Sequence, residues 1–151
     1  MSRSGIERLA VCAVLILALA AASGCTVRTG SGAGPESARQ SLYGVLDETQ
    51  ELLGGSWTNQ DDPTPRGCSI PLFVEGEMYP ALRVGTARGD STAALATVSR
   101  LWSDKGYDVT STGVGAVREL QGNNDVDQLL VLRINGRSMT LQGESECRPT
   151  P

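Results

Sequence analysis

Apolar and polar positions divide this chain into one unbroken apolar run, two stretches of helical period and a C-terminal part of period two. The unbroken run comes first. Leu9 to Ala22 carries no charge and follows a short basic start at Arg3 and Arg8. A helix needs about 20 apolar residues to cross a bilayer, so a run of about 14 is short for a permanent span and fits the core of a signal peptide. No later stretch is apolar enough to span.

Helical spacing appears twice. Ala38, Leu42, Val45, Leu46, Thr49 and Leu53 fall on one face and predict a helix over Glu36 to Leu53. Pro35 and Glu36 suit a helix start, and Gly54-Gly55 a stop. The second helix is predicted over Thr92 to Lys105, capped by Asp90 or Ser91 and closed by Gly106. Its apolar stripe is Ala94, Leu95, Val98, Leu101 and Trp102.

Between the helices, Ser56 to Pro71 holds three prolines and Asp61-Asp62 and reads as a loop. Strands are expected within Leu72 to Arg88, the better half being Tyr79 to Thr86, with Pro80 at an edge or a strand start. After the second helix, Tyr107 to Ser111 and Val114 to Leu120 read as strands around a turn near Thr112-Gly113, and a second turn falls at Gly122 to Asp125. Leu129 to Ile134 and Arg137 to Gln142 flank Asn135-Gly136, a pair suited to a type I′ hairpin. That turn would set Ile134 opposite Arg137 and Leu132 opposite Met139. Leu130, Leu132, Ile134, Met139 and Leu141 then share one face, and Val131, Arg133, Ser138 and Thr140 the other. A sheet apolar on one face needs a cover. The expected fold is therefore α+β: an antiparallel sheet of four to five strands with two helices packed on one face.

Ala22-Ser23-Gly24-Cys25 follows the apolar run directly. Small residues before a cysteine at this place resemble the lipobox of bacterial lipoproteins, with Ala22 where Leu is usual. The resemblance implies a diacylglyceryl group on Cys25 and cleavage before it by signal peptidase II; the alternative is an ordinary secretory cut after Ala22. The expected organisation is a signal peptide over 1–24, a lipidated Cys25 with a Gly-rich tether to residue 35, and one domain over 36–151. The tether, TVRTGSGAGP over Thr26 to Pro35, has an expected r.m.s. reach of roughly 17–19 Å. Two acyl chains suffice for stable anchoring. The expected location is the extracytoplasmic face of the cell membrane.

Removing Arg3, Arg8 and Glu7 with the signal takes the 13 basic and 17 acidic side chains to 11 and 16. An acidic domain without histidine is a poor nucleic-acid binder. Twelve of the 13 basic residues are Arg, a mark of a GC-rich genome. With the late Cys147 and the Gly-Tyr-x-Val passage after Lys105, the mature chain resembles small actinobacterial lipoproteins, which share no common activity. Of the four cysteines, Cys12 lies in the signal and Cys25 takes the lipid. In an oxidising compartment Cys68 and Cys147 read as one disulfide, pinning the end of the chain to the long loop. A free or metal-bound pair is the alternative.

The lack of histidine removes histidine-dependent triads and most zinc and copper sites. Lys105 has no motif around it, and no G-x-S-x-G, P-loop or G-x-G-x-x-G occurs. Acidic pairs stand at Asp61/Asp62, Glu75/Glu77, Asp125/Asp127 and Glu144/Glu146; sequence neighbours of this kind are usually solvated surface. Asn123-x-Asp125-x-Asp127 opens like a calcium loop, but Gln128 and Ile134 stand where Gly and Glu belong. Neither metal nor cofactor is expected. Trp57 and Tyr79 are open between packing and recognition, and Arg133 marks the uncovered sheet face. The expected function is a non-catalytic binding or interaction module of the cell envelope, with an envelope protein as partner. The alternatives are a carrier of a lipid or other apolar ligand, which needs an enclosed pocket between helices and sheet, and a hydrolase using convergent carboxylates.

Overall fold

The structure, a computed structural model, describes residues 34–72, 74–87 and 89–150. The expected signal peptide and Cys25 lie outside them. Helix α1 spans Pro35–Leu53 and α2 spans Ser91–Asp104. Both start as the sequence predicts: Pro35 occupies the first helical position, and the Asp90 carboxylate caps α2 by accepting the Thr92 N–H at 2.8 Å. Ala38, Leu42, Leu46 and Thr49 form the buried stripe of α1, and Leu95, Val98 and Trp102 that of α2.

The strands are β1 (Trp57–Asn59), β2 (Arg66–Ile70), β3 (Val74–Met78), β4 (Pro80–Thr86), β5 (Asp108–Val114), β6 (Val117–Asn123), β7 (Leu129–Ile134), β8 (Ser138–Glu144) and β9 (Arg148–Pro149). They build a six-stranded sheet, ordered β1-β4-β8-β7-β6-β5, and a three-stranded sheet, ordered β2-β3-β9, both antiparallel. The expected α+β class holds, with more strands than four or five. β1 and β2 come from the stretch read as a loop, and β9 from Arg148–Pro149, where the sequence predicts no strand. β1 ends before the prolines of that stretch, and β2 fits between Pro65 and Pro71, where no proline removes a ladder N–H.

Both helices cover one face of the large sheet. Leu120, Leu130, Leu132, Ile134, Met139 and Leu141 meet Leu42, Leu46, Val98 and Trp102 there. Burying side chains of this size stabilises by about 1.5–3 kcal/mol each. Glycines let the helices approach. A Cβ on Gly143 would stand 2.6 Å from Leu42 Cδ1, and one on Gly122 3.0 Å from the Trp102 ring. Between the helices, Trp102 Nε1 donates to Thr49 Oγ1 at 3.0 Å, and Thr49 donates to the Val45 carbonyl.

The terminal hairpin forms two residues out of the expected register. Ile134 faces Met139 and Leu132 faces Leu141. A slip of two keeps every side chain on its expected face. Its cause is Asn135, whose Oδ1 accepts from the N–H of Arg137 and Ser138, both at 2.8 Å. Asn135 thus opens the turn and does not occupy its centre, and Gly136 lacks the left-handed backbone a type I′ turn needs. The turn expected near Thr112-Gly113 also falls later: β5 continues to Val114, and Gly115 turns the chain with φ 60°.

β3–β4 and β8–β9 form one long ribbon. Pro80 pairs with Glu144, and Tyr79 and Ser145 exchange two hydrogen bonds at 2.9 Å. Beyond them Glu77 pairs with Arg148 and Gly76 with Pro149. The pairing takes up one extra residue between Ser145 and Arg148, as a β-bulge does. The small sheet therefore continues the large one past the start of β4. Helix α1 runs alongside β4 in the same direction: Arg39 lies over Tyr79, Leu42 over Gly143, and Asp47 and Gln50 reach Arg83. Its N-terminus consequently lies at the small-sheet end.

Candidate functional site

The sequence-predicted site residues are held apart. Cys25 lies outside the described residues. Cys68 and Cys147 form a disulfide with a Cα–Cα distance of 6.0 Å. Cys68 sits within β2 and not in a loop, and Cys147 lies in the short segment just before β9, so the bridge ties β2 to the link between the two sheets. Gly76, paired with Cys68, makes room for it: a Cβ there would stand 2.9 Å from Cys147 Sγ and 2.6 Å from the Arg148 carbonyl.

Trp57 is half-buried, with its ring over Gly85 and its Nε1 donating to the Gly54 carbonyl at 2.9 Å. Tyr79 is buried on the helix side with the Arg39 guanidinium 5.0 Å from its ring centre. Arg133 projects from the opposite face, where Nε donates to Glu119 at 2.6 Å and Nη1 to Gln142 at 2.7 Å. Two of the three thus serve packing, and one stands on the open sheet.

The feature that sequence reasoning missed is Arg83. Its side chain is 2% exposed, on the helix side of β4. Nε and Nη2 donate to Asp61 Oδ2 at 3.2 and 3.0 Å; Nη1 donates to Gln50 and to Asp47. Asp61 also accepts the Leu82 N–H at 3.1 Å, and Gln50 Nε2 reaches Asn59. The Tyr43 ring lies 5.5 Å from the guanidinium. Burial, then the Asp61 carboxylate, push the Tyr43 hydroxyl above its ordinary range. All three guanidinium nitrogens are occupied from within the domain. The cluster is a tie between β1, β4 and α1, and it leaves no guanidinium nitrogen for an incoming anion.

Two open depressions take acidic side chains: Glu75 and Glu77 both line one of about 490 Å³ along β2 and β3, and Asp62 and Glu144 border another. Asp61 is spent on Arg83. Asp62 accepts the Thr64 N–H, which draws its carboxyl below the usual range. Glu75 and Glu77 flank Gly76 on β3. In the β6–β7 turn Asn124 Oδ1 accepts from Val126 and Gln128, so a side-chain amide organises the segment that opens like a calcium loop. Among the described residues no three acidic or sulfur-bearing side chains gather as a metal site.

Space open to a partner lies on the uncovered sheet face. Leu82, Leu129, Val131 and Gln142 border a depression of about 340 Å³, rimmed by Asp62, Arg66 and Glu144. Val84 on β4 is an exposed apolar residue of the same face. A groove of about 300 Å³ beside α2, along Leu95, Ala96 and Leu120, is likewise open to solvent.

The fold and site define a two-layer α+β domain with one helix-covered sheet face and one open face. It is similar to the crystal structure of a DUF4853 family protein from Actinomyces odontolyticus, with a TM-score of 0.58 over 77% of this chain and 68% of that one. At 19% identity the likeness is one of fold. No family model and no curated protein matches the sequence.

Proposed function

We propose that this chain is a lipid-anchored lipoprotein of the extracytoplasmic membrane face whose domain is a non-catalytic binding module for an envelope protein. The observation that carries the reading is the open face of the six-stranded sheet. Leu82 and Val84 on β4 stand there on one side of the polar stripe Thr140, Gln142 and Glu144 of β8, and Leu129 and the buried Val131 of β7 on the other, beside the Arg133–Glu119–Gln142 network. Apolar side chains interleaved with polar ones offer a protein partner both apolar area and hydrogen-bonding groups. The Cys68–Cys147 bridge supports export to an oxidising compartment. The carrier reading calls for an enclosed apolar cavity, whereas Leu42, Leu46, Val98 and Trp102 fill the space between helices and sheet.

The test is crosslinking of the full-length lipoprotein in native membranes, followed by isolation, beside the variant Val84→Asp. The wild type should carry a stoichiometric protein partner that the variant loses while keeping its thermal unfolding curve. An identical set of crosslinked proteins from both would overturn the open face as the binding surface.

A further inference from the structure

We propose that the tip of the β2–β3 hairpin, with Pro71, Leu72 and Val74, inserts into the interface of the lipid bilayer and sets the domain's orientation on the membrane. The proposal rests on the lipoprotein reading, because it takes Cys25 as the anchor.

Three observations carry it. The first is exposure. Leu72 is 91% exposed and Val74 44%, next to the exposed Pro71. Apolar side chains held together in solvent at a hairpin tip mark an interaction site. The second is backbone geometry. Leu72 has φ 73°, the left-handed region that L-residues with branched side chains avoid. Within the domain, nothing gained by its side chain offsets that conformation, because the side chain is in solvent. A strained apolar residue presented outward points to a contact outside the fold.

The third is where the chain leaves the domain. The ribbon continues from Tyr79 through β3 to the tip, and α1 begins at the same end. Arg39 is level with Tyr79. From that level the helix start at Pro35 lies about 6 Å further on, at about 1.5 Å per residue. Val74, the strand residue at the turn, lies about 17 Å further on, at about 3.3 Å per residue. The strand therefore carries the tip roughly 11 Å past the point where the tether begins. The tether from Cys25 has an expected reach of roughly 17–19 Å. The tether is thus long enough for the tip to reach the membrane that holds the lipid. The disulfide braces the sheet that carries the tip. The domain is acidic, so an apolar contact suits it better than attraction to anionic headgroups.

The experiment uses the full mature lipoprotein reconstituted in phosphatidylcholine vesicles whose acyl chains carry bromine. Leu72→Trp places a fluorophore at the tip. Val114→Trp places one at the β5–β6 turn, 84% exposed and at the opposite end of the sheet. The emission each variant adds to the wild type is read, and the N-terminal peptide is weighed by mass spectrometry. The expected result is a diacylglyceryl mass on Cys25, a blue shift and loss of the Leu72→Trp emission, and unquenched Val114→Trp emission. A lipidated chain whose Leu72→Trp emission is unquenched, or quenched no more than that of Val114→Trp, overturns tip insertion and leaves the anchor standing. A chain without the lipid mass overturns the anchor and this proposal with it.

Discussion

Arg83 and Asp61 lock β4 to the segment that follows β1: two guanidinium nitrogens grip one carboxylate, which also takes the Leu82 N–H. Removing one partner of a buried pair strands the other charge. Asp61→Ala should therefore lower stability by about 3–5 kcal/mol. Asp47 touches the same guanidinium but is 65% exposed, so Asp47→Ala should cost no more than about 1 kcal/mol. Arg83→Met strands Asp61 in turn, a carboxylate 13% exposed that keeps only the Leu82 N–H, and should cost a similar amount to Asp61→Ala. Urea denaturation of the three variants checks the order.

Leu42 depends on the missing side chain of Gly143. The Cβ of Gly143→Ala would stand 2.6 Å from Leu42 Cδ1, and overpacking of this kind costs about 1–3 kcal/mol. In a Leu42→Ala background the same change should cost little, since the colliding methyl is gone. A double-mutant cycle measured by denaturation should show this coupling.

Much of this architecture was legible in the sequence, and the failures have identifiable causes. Both helices carry a continuous period and local punctuation at Pro35, Gly54 and Asp90, so their ends were readable. β1 and β2 were hidden because prolines beside a strand look the same in sequence as prolines within a loop. The hairpin register was missed because Asn-Gly fits two turns, and the hydrogen bonds of Asn135 decide between them. Arg83 was invisible for a different reason. Along β4, Leu82 and Val84 make the more apolar set, yet the inward set is Ala81, Arg83 and Gly85. Small neighbours and the distant Asp61 make room for a buried guanidinium, and alternation alone reports neither. Trp57 and Tyr79 were open between packing and recognition; their rings lie on Gly85 and beneath Arg39.

Tyr107 supplies the pH dependence. It is buried, and burial first, then Glu146, push its hydroxyl up to about 12 from 10.0. The folded state holds the proton more tightly than the unfolded chain, so this contribution is complete below pH 10 and disappears as pH rises toward 12. Stability should fall across that window, and Tyr107→Phe should reduce the slope. Urea midpoints between pH 9 and 12, with the phenolate absorbance followed alongside, test it.

The Cys68–Cys147 bridge closes most of the domain into one loop. On the chain-entropy model, Cys68→Ser with Cys147→Ser should cost about 4–5 kcal/mol, lowering the urea midpoint under oxidising conditions. Under reducing conditions the wild type should approach the variant. Gly76→Ala should destabilise the oxidised protein by about 1–3 kcal/mol, because the new Cβ meets the Arg148 carbonyl, a backbone atom with little freedom to move.

Leu72 sets stability against presentation. Its left-handed backbone costs an L-residue roughly 1–2 kcal/mol, and its exposed side chain offsets none of this within the domain. Leu72→Gly removes that strain and adds about 0.5–1 kcal/mol of unfolded-chain entropy, so the net change should be a gain of about 0.5–1 kcal/mol. Most truncations of a large apolar residue destabilise, which makes the sign itself informative. The gain should appear as a higher urea midpoint with an unchanged slope. A loss of stability would mean that Leu72 packs within the fold, and would remove the argument that its strain is held for a contact outside it.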